Sequence, residues 1–161
     1  MDNPPAVLSA PPPIGDPQAT LEFLKGVAQS FAAAEHPRVK PLQKRLSEAI
    51  DHLSRSLQAQ ERPQEIAARF VTDVRDLYVQ TYELISVLVN QFRASLRVKL
   101  LAGMPAPDKI NVELLQQALS DYAQAVRKMI AAQKKGDATG IRTATEQMAR
   151  ASELVKKASA A

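Results

Sequence analysis

Residues able to do acid–base or metal chemistry are few in this chain, and their spacing limits what they could do. His52 follows Glu48 by four residues and Asp51 directly. On a helix that spacing sets an imidazole one turn from a carboxylate, a pair able to hold a divalent cation. Two ligands do not close a coordination shell, and the E-x-x-H pattern of di-iron bundles does not occur. His36 sits in a proline-flanked link and is expected in solvent. Asp73 and Asp76 also lie about a turn apart, but general acid–base work needs two carboxyls whose surroundings push their pKa values apart. Arg69 and Arg75 close by would keep both ionised. No serine stands in a G-x-S-x-G or S-x-x-K setting, and the five glycines are scattered singly, so no phosphate-cradling loop forms. Cysteine is absent, which removes disulfides and thiolate chemistry together. The expectation is a chain without catalytic apparatus, metal, cofactor or small-molecule substrate.

What remains is binding chemistry. Arg93 and Arg97 are one helical turn apart, with Lys99 close by and Lys109 across the following loop. Four such bases on one face would hold phosphates or another anion. No aromatic residues interleave with them as a base-stacking platform. A second candidate surface is apolar. In the same helical segment Val79, Val87 and Leu101 fall on the side otherwise occupied by polar groups. Either the helix is buried nearly all round, or these three form a stripe for a partner helix or a second copy of the chain.

These residues are carried by helices. Between Pro63 and Gly103 there is neither glycine nor proline, and apolar side chains recur at helical spacing. A helix of that length reaches roughly 58 Å, beyond the roughly 38 Å diameter of a compact ball of this size. An elongated antiparallel bundle follows as the expected fold. Asp16-Pro17 is a strong helix start, a carboxylate cap followed by proline in the first turn. A first helix is then expected to end near Glu35. The segment from His36 to Pro41 reads as an extended linker, followed by a second helix from Pro41 to Glu61. After a break at residues 104–107, a fourth helix starts past Asp108 or Asn111. The turn Lys134-Lys135-Gly136-Asp137 supplies a left-handed glycine and the next N-cap. Four to five helices thus fill a single all-α domain over 17–161, with helices 2 to 5 as the bundle and helix 1 across its overhanging end. The prolines at 4, 5, 11, 12 and 13 mark residues 1–16 as a disordered tail.

Two resemblances bear on function. Glu22-Phe23-Leu24-Lys25-Gly26 resembles the H-x-L-K-G segment of histidine phosphotransfer domains, over five residues only. Glu22 stands where the phosphorylated histidine would be, so the acceptor imidazole is missing. The Ala-rich last two helices are similar in architecture to the bundles of the vinculin and talin rods, without a diagnostic motif.

Composition sets the remaining bounds. Of 161 residues 45% are hydrophobic but only 4% aromatic, so the core must be aliphatic, and the net charge is +4. That modest excess keeps a bundle soluble or favours an anionic partner. The N-terminus has no basic or apolar region of signal-peptide type, and no apolar run is long enough to span a bilayer. The expectation is a soluble, cytoplasmic, non-enzymatic protein–protein interaction module, an adaptor or scaffold that binds a protein partner or itself through a helix face. The competing expectation is a basic helical bundle that contacts nucleic acid or an anionic membrane surface.

Overall fold

The computed structural model describes Leu8, residues 11–32, Ala34, residues 36–103 and residues 112–159. The regular structure among them is entirely helical. Lys109, Glu35, the loop over 104–107, the alternative cap residues Asp108 and Asn111, and residues 1–7, 9 and 10 of the expected tail lie outside the described residues.

Helix α1 (Pro17–Ser30) begins as its sequence predicts. Asp16 is extended, its Oδ1 accepts the Ala19 N–H at 3.1 Å, and Pro17 occupies the first turn. Leu21, Leu24 and Val27 form its buried face. The helix stops at Ser30 with Phe31 as its cap, short of the Glu35 expected.

Helix α2 (Val39–Gln58) starts earlier than the prolines suggest. Pro41 sits inside its first turn, where backbone N–H groups have no intrahelical acceptor, so a residue lacking one loses nothing there. His36 also acts in this turn: its Nδ1 accepts the Arg38 N–H at 3.1 Å, and its carbonyl accepts the Val39 N–H at 3.0 Å. The imidazole thus supports a helix start and is not simply solvated. At the far end Gln60 takes a positive φ of 56°, closing the helix in the left-handed conformation usually left to glycine.

Helix α3 (Pro63–Leu101) is unbroken over 39 residues, continues through Asn90, and is followed by Gly103 at φ +70°. Helices α4 (Val112–Lys135) and α5 (Ala138–Ser159) complete the order. Between them Gly136 has φ +67° and Asp137 Oδ1 accepts the Gly140 N–H at 3.1 Å, the C′ glycine and N-cap read from the sequence.

The chain divides into two compact units, with the border inside α3 between Leu84 and Ile85. The N-terminal unit, Pro11–Leu84, holds α1, α2 and the first part of α3. Arg38 meets Glu83 at 3.6 Å, Arg45 meets Asp76 at 2.8 Å, and Arg69 donates to Ser56 at 2.9 Å. The partner number falls as the α2 number rises, so α2 and α3 run antiparallel here. Gln43 Nε2 caps the Ala28 carbonyl at 2.8 Å and joins α2 to the end of α1. Phe23 of α1 packs edge-on against Tyr78 at 5.5 Å and stacks with Tyr82 at 6.4 Å, geometries that favour aromatic pairs. The Tyr78 hydroxyl donates to Thr20 Oγ1 at 3.4 Å, and Thr20 in turn donates to the Asp16 carbonyl at 3.0 Å.

Around Tyr78 helix α3 is buried over a wide sector, while Asp76, Gln80 and Glu83 stay at least partly exposed. Leu77, Tyr78, Val79, Thr81, Tyr82 and Leu84 are all buried, which at 100° per residue is far wider than one stripe. Thr81 is the anomaly: its side-chain oxygen is fully buried and forms no hydrogen bond. An unpaired buried hydroxyl has given up its water without compensation. Thr81→Val keeps the shape and removes that group, so it is expected to raise stability by about 1 kcal/mol, measured by urea unfolding of the full chain. Equal or lower stability would mean the hydroxyl has a partner in solution.

The C-terminal unit takes Ile85 onward together with Leu8. Helices α4 and α5 form a hairpin across the two-residue turn, with Leu115, Leu119, Tyr122, Val126 and Met129 facing inward on one and Ala144, Met148, Ala151 and Val155 on the other. Small residues at Ala144 and Ala151 let the axes approach closely, as the sequence suggests. Tyr122 is fully buried and its hydroxyl donates to the Leu8 carbonyl at 2.9 Å. Where composition predicts a free tail, that one residue is tied to α4.

Candidate functional site

The candidate residues separate once they are placed. Val79 is buried, 8% exposed, and so belongs to the core of the N-terminal unit instead of an outward stripe. At that level the buried sector of α3 is wide enough to take in the side on which Val79 lies, while Gln80 and Glu83 keep the rest of the helix partly open. Val87 is half-buried. Leu101 is 80% exposed, as a docking residue would be.

From Asn90 to Leu101 the helix changes character. Among its described side chains none is buried, although Phe92, Leu96, Val98 and Leu101 are apolar. Phe92 and Leu96 are half-covered, while Val98 is 66% exposed. Beside this stretch lies an open groove of about 840 Å³, lined by Asn90, Arg93, Ala94, Arg97, Val98 and Leu101 with Gln116 of α4. The α3 residues recur at steps of three and four, which is what puts them on one face. Arg93 Nη1 donates to Asn90 Oδ1 at 3.3 Å, holding that guanidinium along the groove. Leu101 from the apolar candidates and Arg93 and Arg97 from the basic ones therefore meet in a single site. Lys99 is half-buried in the last turn, where a cation complements the helix dipole.

The sequence holds a signal for this site that residue-type counting overlooks: no acidic residue occurs between Glu83 and Asp108, while three bases do among residues 84–103. The contribution of Gln116 is visible only in three dimensions. Two other grooves set an acid among their bases. One of about 400 Å³ in the N-terminal unit is crossed by the Arg38–Glu83 and Arg45–Asp76 pairs. One of about 330 Å³ between α4 and α5 mixes Asp121 with Lys128 and Arg150.

The α3 groove presents guanidinium donors and aliphatic surface. His52 is exposed and its ring lies 6.3 Å from Phe70. Asp76 is paired with Arg45. Arg69 bonds Glu61 and, with the Ser56 hydroxyl, holds that carboxyl below the usual carboxylate range. Glu22 is exposed and accepts from Gln18 at 3.1 Å. Among the described residues no three His, Asp or Glu side chains gather as a metal site, and no helix is long and apolar enough to cross a membrane. No family model, curated protein or solved structure matches the chain.

Proposed function

We propose that the chain is a non-enzymatic interaction module of the adaptor or scaffold kind, taking a protein partner on the C-terminal part of α3. The carrying observation is the run from Asn90 to Leu101, three helical turns with five described apolar residues, Phe92, Ala94, Leu96, Val98 and Leu101, and none of them buried. Exposed aliphatic surface rimmed by guanidinium groups is the composition of a docking face. Its absence of cysteine fits a reducing compartment, and we place the module in the cytoplasm. The acid-free stretch also favours a second reading, in which the same bases contact nucleic acid or anionic lipid.

A photo-reactive benzophenone residue at Ala94 of the full chain, irradiated in cells, separates these readings. The expected result is a discrete protein adduct, absent when the probe sits at exposed Thr72 and lost when Leu101→Glu is added. An adduct of doubled mass would name the chain itself as the partner. No protein adduct at 94, or one equally strong at 72, would overturn the proposal, and adducts carrying RNA or lipid would favour the second reading.

A further inference from the structure

The chemistry of the groove narrows the class of partner. We infer that it receives an acidic amphipathic helix, an inference that rests on the interaction reading above. Charge is the first argument. Arg93 and Arg97 line the groove and no acid stands among its described lining residues, so an occupant carrying carboxylates gains and one carrying ammonium groups is repelled. Shape is the second. The site is concave, between α3 and Gln116 of α4, and about 840 Å³ in volume. A bilayer surface is met best by a convex apolar face that can sink into it, and a nucleic-acid strand by exposed aromatic platforms. Neither is offered here.

Register is the third argument. Ala94, Val98 and Leu101 mark an apolar line at steps of four and three, flanked by Arg93 and Arg97 one turn apart. The complementary ligand has aliphatic side chains at i, i+3 or i+4, and i+7, the spacing of helix-in-groove recognition. Its carboxylates sit four residues apart beside that stripe. Self-pairing through this face about a two-fold axis would set the bases of one copy against those of the other, so a second copy is the poorer occupant.

The test uses the full chain and two fluorescent synthetic peptides that share one leucine stripe, the first with glutamate and the second with lysine on its flanks. Fluorescence anisotropy is expected to show saturable binding of the acidic peptide at low salt and clearly weaker binding at higher salt. The basic peptide should bind less. Arg93→Glu with Arg97→Glu should weaken the acidic peptide about tenfold or more and improve the basic one, as charge reversal at a docking face does. Leu101→Asp should weaken both peptides. All three positions are at least partly exposed, so the variants are expected to keep their helical circular dichroism. Equal binding of the two peptides, indifference of the acidic peptide to the arginine reversals, or arginine-dependent binding of phosphatidylserine vesicles or single-stranded oligonucleotide without the peptide would overturn the inference. A protein adduct at Ala94 whose docking segment is neutral or basic would also overturn it, yet leave the interaction module standing.

Discussion

Val79→Glu is expected to cost the fold about 4 kcal/mol, the price of placing a carboxylate where no partner and little water can reach it. Val79 is 8% exposed, and its neighbours Leu77, Tyr78, Thr81 and Tyr82 are more deeply buried still. A glutamate there either stays charged and desolvated or takes up a proton, and both routes destabilise the folded state. For a unit of this size the loss corresponds to a fall in Tm of roughly 16–32 °C, read by thermal circular dichroism. Leu101→Glu is the matched control. At 80% exposure the same chemical change should leave stability within about 0.5 kcal/mol. The contrast between the two sites decides whether the apolar residues on the polar side of α3 are one surface or two different things. If Val79→Glu melts like the parent chain, Val79 is accessible in solution and its assignment to the core is wrong.

That contrast also shows what could be read from the order of residues and what could not. Asp16, Gly103, Gly136 and Asp137 end or start helices as expected, because capping is a local bargain between one side chain or one glycine and the nearest backbone groups. Helix α2 starts two residues before the expected Pro41, since proline is harmless in a first turn whose N–H groups are orphans in any case. The border between Leu84 and Ile85 has no compositional mark at all. It falls inside an uninterrupted helix, where linker residues would ordinarily announce a division. Val79 falls to one of the two alternatives the periodicity leaves open, a helix buried over a wide sector, because α3 is covered beyond a single stripe at that level. The groove was half legible: Leu101 and the arginines at 93 and 97 were each suspect for its own reason, but only folding showed them to share a face with Gln116.

The second large effect is a reversal of sign with pH at Tyr78. Burial pushes its phenol up to about 12 from the ordinary 10.0, and the hydrogen bond to Thr20 offsets this only in part. An acid held above its unfolded value keeps its proton longer in the native state. Above pH 10 the unfolded chain therefore binds fewer protons than the folded one, and stability falls as pH rises. The contribution is whole below pH 10 and is lost between about 10 and 12 at roughly 1.4 kcal/mol per pKa unit. Tyr78→Phe removes the titration altogether. At pH 7 it gives up a long 3.4 Å hydrogen bond, so the variant should be less stable by about 0.5–1 kcal/mol. At pH 11 the parent has lost about 1.4 kcal/mol that the variant has not, so the order of stabilities inverts. Every other group is common to both proteins and cancels in the difference. In the C-terminal unit burial pushes the Tyr122 phenol up as well, against the Leu8 hydrogen bond, so Tyr122→Phe should flatten the same alkaline slope while losing a shorter bond of 2.9 Å. Urea unfolding of the three proteins at pH 7 and pH 11 reads both effects, and parallel losses in all three would mean that these hydroxyls meet water.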